Sequence, residues 1–163
     1  GAICSNETAY FLPATNRIMG AMQADVSDQH YRKWINKEAE PVPVKCYQMD
    51  KIFKKHGIKR VDALFMDVAG SELRTLRTID FDDVTIDVIV ANLDPVHQKE
   101  GNAQAARDLL ISKGYIIPFS MYDECTELME EGAICQYKEL FVTAEFAARN
   151  GFGASSSTGD ESE

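Results

Sequence analysis

Short apolar runs separated by polar turns dominate the second half of this chain. Two of these runs, residues 61–67 and 86–93, are rich in Val, Ile, Leu and Phe and show little polar alternation. Such runs are typical of strands that are buried on both faces of a parallel α/β sheet. Apolar residues at helical spacing follow the runs, at 71–78 and at 103–113. The pattern therefore predicts strand–helix units joined by right-handed crossovers.

The other segments predict smaller elements around these units. Residues 115–119 and 139–143 have the composition of strands and are joined by a loop, which predicts an antiparallel hairpin at the sheet edge. Residues 50–56 predict a helix, and residues 1–14 predict two short strands around a polar turn. Residues 15–41 show no clean period. They can be a lid or binding loop, or an irregular helix at the edge of the core.

The composition fits a single domain with a tail. Of the 163 residues 45% are hydrophobic, which suffices for one core. We predict one domain over residues 1–148 and a disordered tail over residues 149–163, which are rich in Gly, Ser and acids. No run of about 18 apolar residues occurs, so no membrane span is predicted. Because the first residue is Gly1 and not Met, we expect the chain to be part of a longer protein.

The net charge and the cysteine spacing indicate which kinds of partner the chain can bind and which cellular compartment suits it. The net charge of −9 disfavours binding to nucleic acid, whose phosphates an acidic surface repels. The cysteines at 4, 46, 125 and 135 form no CxxC pair, so a zinc site is not expected. Cys125 and Cys135 could form a disulfide in a secreted protein. Free thiols, which would suit the cytoplasm, are the alternative that we favour.

The residues with the most chemical potential follow the run at 61–67. Asp67 falls at the carboxyl end of the predicted strand, where open α/β sheets bind their ligands. Gly70 permits a tight turn, and Glu72 lies in the first turn of the next helix. Asp67 is therefore a candidate catalytic residue, and the alternative that we favour less is a cap on the following turn. Glu72 is a second candidate, and a favourable helix dipole explains its position equally well.

These residues lie within a stretch that resembles a known family. The run VPVKCYQMDKIFKKHGIKRVDALFMDVAGSELRTLRTIDFDDVTIDVIVANL resembles the C-terminal half of FkbM-type S-adenosylmethionine-dependent methyltransferases. LLISKGYIIPF is similar to the family's late helix-to-strand step, and LFV to its final strand. The resemblance covers about residues 1–145. It implies a mostly parallel, Rossmann-like methyltransferase sheet, an S-adenosylmethionine cofactor, and a hydroxylated small molecule or glycan as acceptor.

The resemblance also assigns roles and reveals two departures. It implies that Cys4, Asp67 and Gly70 contact the cofactor. Ala69 stands where the family has a Glu. The glycine-rich loop that grips the cofactor in the family is missing, as are the first two strand–helix units. We therefore expect the missing N-terminal half of the same protein to be a partner, and without it the strand at 61–67 would be an exposed apolar edge.

Residues at the end of the second apolar run extend the candidate site. Asp67, Asn92 and Asp94 offer three oxygen ligands for Mg²⁺ or a similar hard cation, as in metal-dependent catechol-type methyltransferases. In the alternative, Asp94 simply forms a turn with Pro95. His97 is a candidate proton acceptor because histidine side chains ordinarily titrate near neutral pH.

Two functions remain open from the sequence. The first is an S-adenosylmethionine-dependent O-methyltransferase, of which this chain is the C-terminal part and by itself inactive. The alternative is a non-catalytic, methyltransferase-like interaction module, in which Ala69 marks the loss of a catalytic site.

Overall fold

The computed structural model describes residues 1–5, 8–16, 19–118 and 138–152. The strands in chain order are β1 Ala2–Ile3, β2 Thr8–Leu12, β3 Ala21–Met22, β4 Val42–Tyr47, β5 Arg60–Met66, β6 Thr85–Asn92, β7 Tyr115–Ile116 and β8 Lys138–Thr143. The helices are α1 Asp28–Trp34, α2 Met49–His56, α3 Glu72–Leu76, α4 Asn102–Ser112 and α5 Ala144–Asn150. The predicted tail beyond residue 152, and the Cys125–Cys135 pair, lie outside the described residues.

The larger sheet has the order β5-β6-β8-β7. β5 and β6 are parallel, whereas β8 is antiparallel to both β6 and β7. The antiparallel pairing of the last two predicted strands is confirmed; of these two, β7 lies at an edge of the sheet and β8 lies inside it. β5, β6 and β7 therefore run in one direction and β8 alone is reversed among the described strands, so the larger sheet is mixed and not purely parallel. The architecture is α/β with mixed sheets, and the Rossmann-like arrangement as a whole stays a prediction.

The smaller sheet has the order β1-β4-β2-β3 and is also mixed. β1 runs parallel to β4, while β2 is antiparallel to both β4 and β3. The two short strands predicted in residues 1–14 are confirmed, although they do not pair with each other. Both pair with β4, which separates them in the sheet.

The main hydrophobic core lies between the larger sheet and helices α3 and α4. β6 is its central strand, with Ile86 and Ile89 fully buried. Leu76 of α3 and Leu110 of α4 cover it, and Phe141 of β8 is also fully buried. The predicted burial of residues 86–93 is therefore confirmed, since a strand with neighbours on both sides and helices above it has little exposed surface.

β5 differs from β6 because it lies at the edge of the sheet. Among the described residues its single neighbouring strand is β6. Met66 is buried, but the side chain of Phe65 is 74% exposed. The prediction of a strand buried on both faces is thus wrong for β5. The exposed apolar edge that we expected at residues 61–67 is present among the described strands.

Residues 19–41 contain a short helix and not an extended loop. The Ser27 side chain caps α1 by accepting a hydrogen bond from the backbone N–H of His30. Leu12, Val26 and Ile35 form a small apolar cluster beneath this helix. The segment packs as an edge of the core, which is closer to the irregular-helix alternative than to an open lid.

The end of the described chain is helical. α5 continues to Asn150, two residues past the boundary predicted at 148, and Gly151 follows it with a positive φ of 74°. The longest described helix, α4, has 11 residues. In the described ranges no helix has the length of apolar sequence that crossing a bilayer requires.

Candidate functional site

Asp67 and Asn92 meet where β5 and β6 end. The parallel register places Met66 opposite Ala91, so the next residues of the two strands emerge at the same edge of the sheet. The side-chain amide Nδ2 of Asn92 donates a hydrogen bond to Oδ1 of Asp67 over 3.0 Å. The Asp67 side chain is 55% exposed, and the Lys138 ammonium lies 3.9 Å from its Oδ2. The expected closeness of these strand ends is confirmed, while the catalytic and cofactor roles of Asp67 stay predictions.

The buried side chain of Glu72 forms hydrogen bonds with the backbone of the turn that follows β5. Its carboxylate accepts hydrogen bonds from the backbone N–H groups of Val68 and Gly70, at 2.9 and 3.0 Å, and from the Gln98 amide at 2.6 Å. The residue has no exposed surface. Burial raises the pKa of this carboxyl group above its ordinary range, against the opposing effect of the hydrogen bonds. The carboxylate therefore fixes the turn through these hydrogen bonds, and the catalytic role of Glu72 stays a prediction.

Gly70 brings the turn into contact with two other segments. Its φ is +103°, and a Cβ added to it would lie 2.5 Å from the backbone oxygen of His97 and 3.0 Å from that of Asp25. Only glycine permits this close approach. The space beside Gly70 is thus filled by protein backbone, which gives no support to the predicted cofactor contact at this residue. The neighbouring Ala69 also has a positive φ, of 50°.

Asp94 and Asn92 are occupied by hydrogen bonds within their own loop. Asp94 Oδ1 accepts from the Val96 backbone N–H at 2.8 Å, and Asn92 Oδ1 accepts from the Asp94 backbone N–H at 3.1 Å. Across the described ranges no cluster of three His, Cys, Asp or Glu residues could hold a metal ion. The predicted Mg²⁺ site at Asp67, Asn92 and Asp94 is therefore not supported. The turn-forming alternative for Asp94 describes the geometry better.

Cys4 is joined to Cys46 by a disulfide that ties the end of β1 to β4. The residue is 1% exposed, so it presents no surface to an adenine ring, and its predicted cofactor contact is not supported. The expectation of free thiols is wrong for these two cysteines. Disulfides persist in oxidising compartments, so this bond removes the argument that favoured the cytoplasm.

His97 lies in the loop after β6 and contacts two aromatic rings of α1. Its Nδ1 is 2.7 Å from Nδ1 of His30, and its ring centroid is 5.2 Å from that of Trp34. His97 is partly exposed, whereas His30 is completely buried. The structure thus places the predicted proton acceptor beside a second histidine that the sequence did not single out as a partner.

Asp25 is a further residue that sequence reasoning missed. It is 5% exposed and accepts hydrogen bonds from Ser71 Oγ at 2.7 Å and from Arg74 Nε at 2.8 Å. These contacts fasten the segment before α1 to the start of α3. Ser71 therefore uses its hydroxyl for Asp25 and makes no cap bond to its own helix. No local pattern connects residues 46 positions apart, so the sequence held no signal for this pair.

The fold and the strand-end residues define an α/β domain whose polar rim lies where such sheets carry their ligand sites. A model of one family, the methyltransferase FkbM domain, matches residues 4–117. This match spans well over half of the chain, which therefore belongs to the FkbM methyltransferase family. The resemblance described from the sequence is confirmed. No curated protein and no solved structure matches the chain at a significant level.

The family implies S-adenosylmethionine, and the described residues fit this cofactor only in part. The exposed carboxylate of Asp67 can accept hydrogen bonds from hydroxyl or ammonium groups. Gly70 offers no cradle, and the one GxG spacing in the sequence is at Gly151 and Gly153, after the last described helix. The part of the chain that the structure describes therefore lacks a complete binding site for the cofactor.

Proposed function

We propose that this chain is the C-terminal part of an S-adenosylmethionine-dependent O-methyltransferase that acts on a hydroxylated small molecule or glycan. Family membership supports methyl transfer. The single observation that supports an active site here is the exposed Asp67 carboxylate, oriented by Asn92 at the shared end of two parallel strands. An oriented acid with open surface in this place is typical of ligand sites in α/β sheets.

The proposed task of these residues is to orient a hydroxyl group and to accept its proton. S-adenosylmethionine supplies the methyl group when it is bound. Asp67 has one carboxylate oxygen fixed by Asn92, and the second, which lies 3.9 Å from the Lys138 ammonium on a half-exposed side chain, can also accept a hydrogen bond from a hydroxyl. His97 lies on the loop that touches the turn after Asp67, through the contact of its backbone oxygen with Gly70. Either group can act as a general base, which contributes about 10²- to 10⁴-fold to a rate.

A non-catalytic interaction module remains the alternative, and two observations favour it. Glu72, the acid retained from the family pattern, is enclosed, and backbone atoms fill the space beside Gly70. In either case the net charge of −9 opposes nucleic acid as a partner.

Methyl transfer can be measured directly on the purified full-length protein that contains this chain, since the described residues alone lack a complete cofactor site. Radiolabelled S-adenosylmethionine is incubated with the protein and a panel of phenols, sugars and other alcohols, and label in the acceptor is counted. We expect transfer to at least one acceptor. Asp67→Asn should lower kcat/KM by about 10²- to 10⁴-fold if Asp67 is the base, because the amide keeps the size and loses the charge.

Asp62→Asn is the matched control, since Asp62 is exposed on the same strand five residues earlier. It should leave transfer unchanged. Calorimetric titration with S-adenosylmethionine gives a second measurement that needs no acceptor. Absence of both binding heat and transfer would reject the enzyme and favour the interaction module.

A further inference from the structure

The buried imidazole of His30 contacts the partly exposed imidazole of His97. His30 has no exposed surface, and both of its ring nitrogens have partners. Nε2 lies 2.7 Å from the backbone oxygen of Met19, and Nδ1 lies 2.7 Å from Nδ1 of His97. The three groups form a chain that runs from a carbonyl oxygen through His30 to His97.

The partners assign the proton positions along this chain. A carbonyl oxygen only accepts hydrogen bonds, so His30 Nε2 carries a hydrogen and donates it to Met19. Burial lowers the pKa of His30 against the opposing effect of its hydrogen bond to Met19, and the nearby His97 lowers it further, which favours the neutral ring. In a neutral ring with a hydrogen on Nε2, Nδ1 is an acceptor. The short contact between the rings therefore requires His97 Nδ1–H to be the donor.

His97 then has its remaining lone pair on Nε2 alone. This atom has no hydrogen-bond partner among the described residues, and it is not fully buried. We infer that His30 is a positioning residue, which holds His97 in the tautomer whose outward Nε2 can accept a proton from the substrate hydroxyl. This inference rests on the proposed function, because it supplies the orienting partner of a general base.

The surroundings of His30 keep this arrangement in place. The backbone N–H of His30 is bound by Ser27 Oγ at 3.0 Å, and Ser27 Oγ in turn donates to the backbone oxygen of Val96. The same side chain thus ties the start of α1 to the residue before His97. Trp34 packs against both imidazoles, with ring centroids 4.9 Å from His30 and 5.2 Å from His97. The donor and the acceptor therefore approach each other on two segments that are fastened together.

Nitrogen NMR tests the tautomer without any assay of activity. The chain has three histidines, and the signals of His97 are assigned by their loss in His97→Gln. At a pH of about 8 to 9, where imidazoles are neutral, we expect ¹⁵N shifts that place the hydrogen of His97 on Nδ1. A wild-type His97 with its hydrogen on Nε2 would overturn the inference by itself.

Two substitutions at His30 separate hydrogen bonding from packing. Asn in place of His30 keeps an acceptor near the position of Nδ1, whereas Phe keeps a ring and has no acceptor. We expect His30→Asn to retain the Nδ1–H form of His97, and His30→Phe to let both tautomers exchange. Amide NMR spectra of each variant verify that the fold is intact. An unchanged tautomer in folded His30→Phe would contradict the proposed role.

Kinetics then connect the tautomer to methyl transfer. With an acceptor found as described above, His30→Phe should lower kcat at least about tenfold while KM changes less, and His30→Asn should restore most of the rate. Equal kcat for wild type and His30→Phe overturns the positioning role even if the protein is an active methyltransferase. A confirmed tautomer without transfer to any acceptor supports the geometry and rejects the proposed function, so the two failures are distinguishable.

Discussion

Each of the two sheets of this molecule is stabilised by a different kind of interaction. The larger sheet, β5 to β8, is covered by α3 and α4, and together with these helices it contributes most of the main core. The smaller sheet, β1 to β4, has only the small cluster around Leu12 and Val26, and large parts of β4 are exposed. It is fixed instead by the Cys4–Cys46 disulfide and by the ion pair of Asp25 with Arg74. Burial of apolar surface stabilises the first region, while a covalent bond and polar contacts stabilise the second.

The difference bears on the candidate site, which takes residues from both regions. Asp67 and Asn92 stand on the well-packed sheet, whereas His30 belongs to the segment attached to the smaller one. We expect the second region, with its smaller apolar cluster, to have the lower local stability. Such weakly packed segments are the ones that open first in native proteins.

Removing a core ring should have the largest effect. Phe141→Ala deletes a fully buried side chain that pairs with Ile89 in the centre of the larger sheet, and should cost about 3–5 kcal/mol of unfolding free energy. Urea denaturation followed by circular dichroism gives the value. Ile111→Ala, at a position 54% exposed on α4, is the control and should cost far less. Similar losses for both variants would contradict the conclusion that burial of apolar surface stabilises the larger sheet.

Breaking the disulfide should have the next largest effect. Cys46→Ser opens a link between residues 42 positions apart, and should lower the unfolding free energy by about 2–4 kcal/mol. The measurement is thermal unfolding of Cys4→Ser, Cys46→Ser and the double variant. All three should be destabilised equally, since each lacks the same bond. A double variant as stable as wild type would show that the smaller sheet needs no covalent support.

The buried acid of the larger sheet should give the smallest effect, visible as a dependence on pH. Burial raises the folded-state pKa of Glu72 above its ordinary value of 4.5, so the folded state binds a proton more readily than the unfolded state. Stability therefore falls as pH rises from about that ordinary value through the folded pKa.

Denaturation of wild type and Glu72→Gln at a series of pH values measures this term. The wild type should gain stability relative to the variant as the pH is lowered from neutral into that interval. Glu100→Gln removes an exposed carboxylate and serves as the control. If the difference between wild type and Glu72→Gln stays constant with pH, the carboxyl group has the same proton affinity in both states.

The sequence predicted the larger sheet more fully than the smaller one, for physical reasons. β6 and α4 carry their own signals, a β-branched apolar run and an apolar face at helical spacing, so their existence and burial could be predicted from local pattern. The burial of β5 could not, because an edge strand and a central strand can have the same composition. The position of β8 inside the sheet depends on pairing across the fold, which local pattern does not encode.

The candidate site divides in the same way. The approach of Asp67 to Asn92 followed from the rule that parallel strands end together. Local sequence did not predict three other features. The disulfide of Cys4 and the contact of His30 with His97 join residues far apart in the chain, and the enclosure of Glu72 depends on burial. For the contact of His30 with His97 the sequence holds a partial signal, because Ser27 precedes Asp28 as a helix cap would and so marks the start of α1, which carries His30.

The insertion of β8 between β6 and β7 has a consequence for how the chain acquires its structure. β8 comes from residues 138–143, yet it supplies Phe141 to the centre of the hydrophobic core. During synthesis one edge of β6 therefore lacks its neighbouring strand. The larger sheet can be completed only after the ribosome has released residues 138–143. Because closing so long a loop is entropically slow, this late step should limit the rate of folding and leave the nascent intermediate open to chaperones.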